Sequence, residues 1–204
     1  FETGGWHDKD LVPACVLVAM LGGGDSFSAG GPGKGMYTRL YRKVLNQCAW
    51  VESILGISLI HNDAGCIGIV GSTDAQYAQS LLRVILDQML WVATEPAEEE
   101  ELDRARNRLK SSVLMNLESR IVLGDDMARQ VSTYGKRENA EDVCRKIDAV
   151  TAEDVMRVAM RGLTSNPSVV AYGDLASIPD NIHELVNQML QENIPEGSRA
   201  AAAE

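Results

Sequence analysis

The 204-residue sequence sets 19 Lys and Arg against 29 Asp and Glu, a net charge of −10, with 45% apolar and 24% charged residues. That composition sustains a packed core and excludes disorder and collagen-like repetition; the acidic balance argues against nucleic acid, whose phosphates call for clustered Lys and Arg, and favours a cationic partner. The longest uninterrupted apolar stretch, Ala14 to Leu21, falls far short of the roughly 20 residues that cross a bilayer, so no membrane span is expected.

In chain order, Phe1-Glu2-Thr3-Gly4-Gly5 reads as the end of a strand entering a turn. Because the sequence opens without Met, we expect a fragment whose beginning, with any targeting peptide, lies elsewhere. Asp8 or Asp10 can cap a helix over Leu11 to Leu21, with Pro13 tolerable in its first turn. Gly22 to Met36, GGGDSFSAGGPGKGM, holds seven glycines in fifteen residues, so no regular element is expected there. Helical spacing returns at Tyr37, Leu40, Tyr41, Val44 and Leu45 and predicts a second helix ending near Ala49. Val51 to Ile60 and Cys66 to Val70 flank the hairpin-like His61-Asn62-Asp63-Ala64-Gly65 and predict two antiparallel strands.

Asp74 then opens a helix running through Leu90 and ending before Pro96. Glu98 to Glu101 form the acidic start of a long helix with one apolar stripe at Leu102, Ala105, Leu109, Val113 and Leu117. Shorter helices are predicted over Gly124 to Tyr134, Ala140 to Ile147, and Ala152 to Leu163, the last capped by Thr151 with Asp154 three positions on. Ser168 to Tyr172 reads as a short strand, Ile182 to Leu190 as a last amphipathic helix, and 193–204 as a frayed tail. Single strands and a hairpin separated by long helices predict an α+β fold, a mixed or antiparallel sheet with helices packed largely on one face, forming one domain over 1–192.

Cys15, Cys48, Cys66 and Cys144 stand singly among apolar neighbours, without a CxxC pair, and read as reduced core thiols. His183-Glu184-Leu185-Val186-Asn187 begins like HExxH but places Asn187 where the second histidine belongs, and HxxEH is absent. His61 beside Asp63 has no nucleophile fixed next to it. No G-x-S-x-G elbow occurs. Gly33-Lys34 fails as a phosphate loop, since Ser28 and Gly35 replace the required Gly and Ser or Thr, and GxGxxG fails at Met36. What remains is a long glycine-rich loop, either a tolerated surface loop or a backbone that can hydrogen-bond an extended basic peptide.

Those residues resemble a known family. GGGDSFSAGGPGKGM (Gly22 to Met36) is similar to the glycine-rich loop of mitochondrial processing peptidase α subunits, within the pitrilysin and insulysin group of metallopeptidases. The likeness continues in LKSSVLMNLESR (Leu109 to Arg120), Arg129-Gln130, Thr133-Tyr134-Gly135, IDAVTAEDV (Ile147 to Val155) and Tyr172-Gly173-Asp174-Leu175, up to about Pro179. The resemblance implies the carboxy-terminal half of a subunit with no catalytic residues, cofactor or metal of its own. A β partner would carry HxxEH and the zinc.

Substrate recognition would fall to Gly22, Gly23, Gly24, Asp25, Ser26, Phe27, Ser28, Ala29, Gly30, Gly31, Pro32, Gly33, Lys34 and Gly35. Arg-rich presequence peptides would be the ligands, in the mitochondrial matrix or on the matrix face of the inner membrane. The resemblance also implies an alternative, a structural core subunit of ubiquinol-cytochrome c reductase (complex III) among its other subunits. The family usually has a fourth glycine where this chain has Asp25, which could contact a presequence arginine or have no effect. The Glu98 to Glu101 run is open between a docking patch and a solvated helix start.

Overall fold

The computed structural model describes residues 1–26, 36–165, 167–174, 176, 178 and 181–193. Four strands, β1 (Glu2–Thr3), β2 (Gly23–Asp25), β3 (Val51–Ile60) and β4 (Gly65–Thr73), form one sheet in the order β1-β4-β3-β2, every pair antiparallel. The helices are α1 (Leu11–Leu21), α2 (Ala78–Thr94), α3 (Glu99–Glu118), α4 (Arg120–Tyr134), α5 (Ala140–Asp148), α6 (Ala152–Thr164) and α7 (Ile182–Asn193). This is the expected α+β arrangement, its sheet antiparallel among the described residues.

Alternation along the hairpin decides which face is covered. Ile54 and Ile67 point inward and are buried. Gly56 and Gly71 share that face, where a Cβ would stand 3.2 Å from the Leu21 and Leu81 side chains, so α1 and α2 approach the sheet closely. On the opposite face Leu55, Leu59 and Val70 are exposed. α1 is apolar on all sides, and Val16, Leu17 and Leu21 are completely buried. Such a helix has to be covered all round, and it packs against β3, α3, α5 and α6. The predicted capping box starts α6: the Asp154 amide donates to Thr151 Oγ1 (3.2 Å) and the Thr151 amide to Asp154 Oδ2 (3.0 Å).

Six expectations need correction. The glycine-rich stretch is not devoid of regular structure, because its first residues pair with β3 as β2; a paired edge supplies the hydrogen bonds that glycine's own propensity does not. The helix expected over Tyr37 to Ala49 is confined to residues 39–45 and ends in a wide turn, the Asn46 amide reaching the Tyr41 carbonyl (3.0 Å); the Val51 amide to Cys48 carbonyl bond then swings the chain into β3. The Asp10 side chain does not cap α1 but pairs with Arg157 (2.7 Å), whereas Asp8 accepts the Asp10 amide at the helix start through Oδ1 (2.8 Å) and pairs with Arg161 through Oδ2 (3.0 Å). α4 begins at Arg120 rather than Gly124 and buries none of its side chains. Cys66 is exposed on the outer sheet face rather than in the core, while Cys15, Cys48 and Cys144 are partly covered; all four are free thiols. Ser168 to Tyr172 pairs with no strand among the described residues.

Candidate functional site

The glycine-rich segment leaves the fold at an edge. α1 stops at Gly22, whose amide still donates to Val18 O and whose φ of 55° is left-handed. A Cβ there would lie 2.3 Å from Thr38 Cγ2 and 2.5 Å from an Arg108 nitrogen, so only glycine lets the chain pass. Gly23, at φ 111°, is tighter still, its would-be Cβ 2.0 Å from the Ile54 carbonyl oxygen. Gly56 N donates to Gly22 O (2.7 Å) and Ser26 N to Glu52 O (2.8 Å). Alternation in antiparallel pairing therefore turns the backbone groups of Gly23 and Asp25 away from β3. The Gly23 amide is taken by Thr38 Oγ1 at 3.1 Å. Asp25 and Ser26 are exposed, and no strand lies beyond this edge among the described residues.

Both roots of the segment are fastened to α3. On the entry side, Arg108 Nη1 donates to the Ala19 carbonyl at 3.2 Å. On the exit side, the Arg39 guanidinium forks onto Glu101, with Nε to Oε1 at 3.0 Å and Nη2 to Oε2 at 2.6 Å; the side chains are 11% and 13% exposed. Glu101, Arg104 and Arg108 recur at helical spacing on one face of α3. Between the roots lies a groove of about 380 Å³ lined by Tyr37, Thr38, Arg104, Arg108 and Met115. The Nε and Nη2 atoms of Arg104 are buried beside it without an acceptor among the described residues.

Of the fourteen residues expected to bind substrate, Gly22, Gly23, Gly24, Asp25 and Ser26 form this edge, while Phe27, Ser28, Ala29, Gly30, Gly31, Pro32, Gly33, Lys34 and Gly35 lie outside the described residues. Glu98 to Glu101 are not a bare acidic patch: Glu99 pairs with Arg106, Glu100 with Arg104 and Glu101 with Arg39. Sequence reading missed Thr38, Arg39, Arg104 and Arg108. The repeat of Glu101, Arg104 and Arg108 on one helical face was the available signal for the α3 side; nothing local marks Arg39 as its partner. His61 is exposed in the hairpin turn, His7 stacks edge-on against Tyr134 and His183 lies on α7. No group of three or more His, Cys, Asp or Glu that could hold a metal ion occurs among the described residues.

Residues 1–109, which hold the sheet and its glycine-built edge, match the family described as the peptidase M16 inactive domain, and the chain belongs to it. Among individual proteins, it is 41% identical over 182 residues to the mitochondrial-processing peptidase subunit alpha of Solanum tuberosum, a match covering 88% of this chain and 36% of that relative. It is 41% identical over 175 residues to the Caenorhabditis elegans subunit alpha (86% and 34%) and 38% identical over 182 residues to the human one (89% and 34%). The chain thus spans about a third of the length of these relatives. A solved structure described as Complex III2 from Candida albicans, Inz-5 bound, is similar with a TM-score of 0.66 at 20% identity, over 78% of this chain and 37% of that one; at that identity the likeness is one of fold.

Proposed function

We propose that this chain is part of a non-catalytic α subunit of a mitochondrial processing peptidase, in the mitochondrial matrix or on the matrix face of the inner membrane. In this reading the segment Gly22 to Gly35 grips basic presequences while a zinc-bearing β partner cleaves them. The observation that supports it most is the mounting of the segment. Its two roots are clamped to α3 by the Arg108 to Ala19 bond and the Arg39–Glu101 fork. Its first residues form a sheet edge whose backbone at Asp25 faces away from β3, next to the side-chain-free Gly23 and Gly24. A rigid frame that presents bare backbone suits capture of an extended peptide, because main-chain hydrogen bonds then carry affinity with little dependence on sequence. The net charge of −10 adds long-range attraction for Arg-rich ligands, raising encounter rate more than affinity.

The test is deletion of Gly30 to Gly35 in the full-length subunit reconstituted with its β partner. Presequence cleavage should fall at least tenfold while the heterodimer still forms. Unchanged cleavage would refute substrate gripping and leave the structural core-subunit role in complex III as the remaining reading.

A further inference from the structure

Arg104 brings more donors to the groove between the segment's two roots than its neighbours use. Its Nη1 donates to Glu100 Oε1 (2.5 Å), on a glutamate whose side chain is 82% exposed, whereas Nε and Nη2 are buried with no acceptor among the described residues. A buried polar group without a partner is costly, so a native one calls for an explanation. Nε and Nη2 form the side of a guanidinium that can give one hydrogen bond to each oxygen of a carboxylate. Arg39 uses that same side for Glu101, at 3.0 and 2.6 Å, and Glu101 lines this groove. Arg108, one turn further along α3, donates from Nη1 to Ala19 O (3.2 Å) and makes no other bond among the described residues. Arg39, Arg104 and Arg108 thus stand against Glu100 and Glu101, which leaves one surplus positive charge here in a chain of net charge −10. One carboxylate neutralises that charge, and a phosphate dianion overshoots it. The volume of about 380 Å³ lies at the small end of ligand pockets, and Ala19, Met20 and Ala105 make part of the wall apolar. On the rim Tyr37 and Met115 are 69% and 65% exposed, so little packing opposes their moving aside to uncover the Arg104 donors.

We propose that this groove is a carboxylate site and that its ligand is the C-terminal carboxylate of a cleaved presequence peptide, with Arg104 bonding both oxygens and Arg108 adding its charge alongside. The choice of ligand rests on the presequence reading proposed above. Presequences are Arg-rich and poor in acidic residues, so an uncleaved one has little to offer two arginines. Hydrolysis changes that. The oxygen of water bonds to the scissile carbonyl carbon, the C–N bond breaks, the nitrogen leaves as the amino group of the mature chain, and the new acid loses its proton to solvent. The released peptide then ends in a carboxylate that is ionised at neutral pH. The site therefore tells product from substrate: it holds the released presequence beside the segment that gripped it and makes the enzyme subject to product inhibition.

The experiment is calorimetric titration of the full-length subunit without its β partner, so that no zinc takes part. The probes are N-acetylated Leu-Ser-Arg-Leu-Ala-Arg-Ser-Leu ending in a free carboxylate, the same peptide ending in a carboxamide, and a carboxamide version with Glu in place of the central Ala. The free acid should bind at least tenfold more tightly than the plain amide, as a charge-assisted pair of hydrogen bonds provides. Arg104→Lys keeps the charge but lacks the two-donor side, and should close most of that gap while leaving the amide's affinity where it was. Equal binding of acid and amide, or a gap that survives Arg104→Lys undiminished, overturns the carboxylate site. If the Glu-containing amide gains as much as the free acid, the site serves acidic side chains and the assignment to product is overturned. The presequence reading falls separately: it fails if the amide does not bind, or binds equally well after deletion of Gly30 to Gly35, whatever the contrast between acid and amide.

Discussion

Replacing Arg39 with Ala removes one half of the fork that holds the exit root of the glycine-rich segment to α3. Glu101 would be left 13% exposed and, among the described residues, without the one ion pair it makes. Breaking a buried ion pair from one side costs about 3–5 kcal/mol when the remaining charge is stranded. Because both side chains here keep a sliver of solvent, about 3 kcal/mol is the expected loss. For a chain of this size that corresponds to a fall of about 6–12 °C in melting temperature. Arg39→Lys keeps the charge but not the planar fork, and should lose about half as much. Removing both partners should be milder than the sum of the single changes, giving a coupling energy of about 1.5–3 kcal/mol in a double-mutant cycle. Urea denaturation of the wild type, Arg39→Ala, Glu101→Ala and the double variant measures all four corners. If Arg39→Ala unfolds within 0.5 kcal/mol of wild type, the pair does not hold the root and the frame ascribed to it fails.

Two further outcomes follow from local geometry. Gly23→Ala forces a side chain into φ 111° with its Cβ 2.0 Å from Ile54 O, and should cost about 3 kcal/mol; Gly24→Ala, whose Cβ would meet only the Tyr41 ring at 3.8 Å, should stay within about 0.5 kcal/mol, and equal chemical denaturation of the two would contradict the β2 geometry. Burial of Asp154 works to raise its pKa but is outweighed by the Thr151 amide and Arg157, so the carboxyl sits below the ordinary carboxylate value. A depressed folded-state pKa stabilises above the unfolded value near pH 4 and is lost as pH falls through the folded one. Wild type should therefore lose more melting temperature between pH 5 and pH 2.5 than Asp154→Asn, and parallel curves would argue against the capping box as the source.

Where an element's own residues decide its state, it was legible in advance. α1 announced itself by its apolar run and was bounded by Gly22, and the β3–β4 hairpin by β-branched residues around a turn. The α6 capping box needs only Thr151 and Asp154, three positions apart. Other elements depend on partners far away in the chain. β2 is a strand because Ile54 and its neighbours lie beside it, although Gly23 and Gly24 have no strand preference of their own. Ser168 to Tyr172 shows the converse, strand-forming residues that pair with no strand among the described residues. Asp10 has the composition of a cap, yet its carboxylate goes to Arg157, nearly 150 positions away, and Asp8 divides its own between the Asp10 amide and Arg161.

By itself, the order of residues determined the α+β class, the acidic surface, the family likeness and the glycine-rich segment as the place to look, since composition, periodicity and motif are properties of the chain alone. Only the folded chain decided that this segment starts as an edge strand and that Thr38, Arg39 and Arg108 fasten its roots. Hydrogen bonds and ion pairs between residues dozens of positions apart depend on where packing brings them, and no local pattern records that meeting.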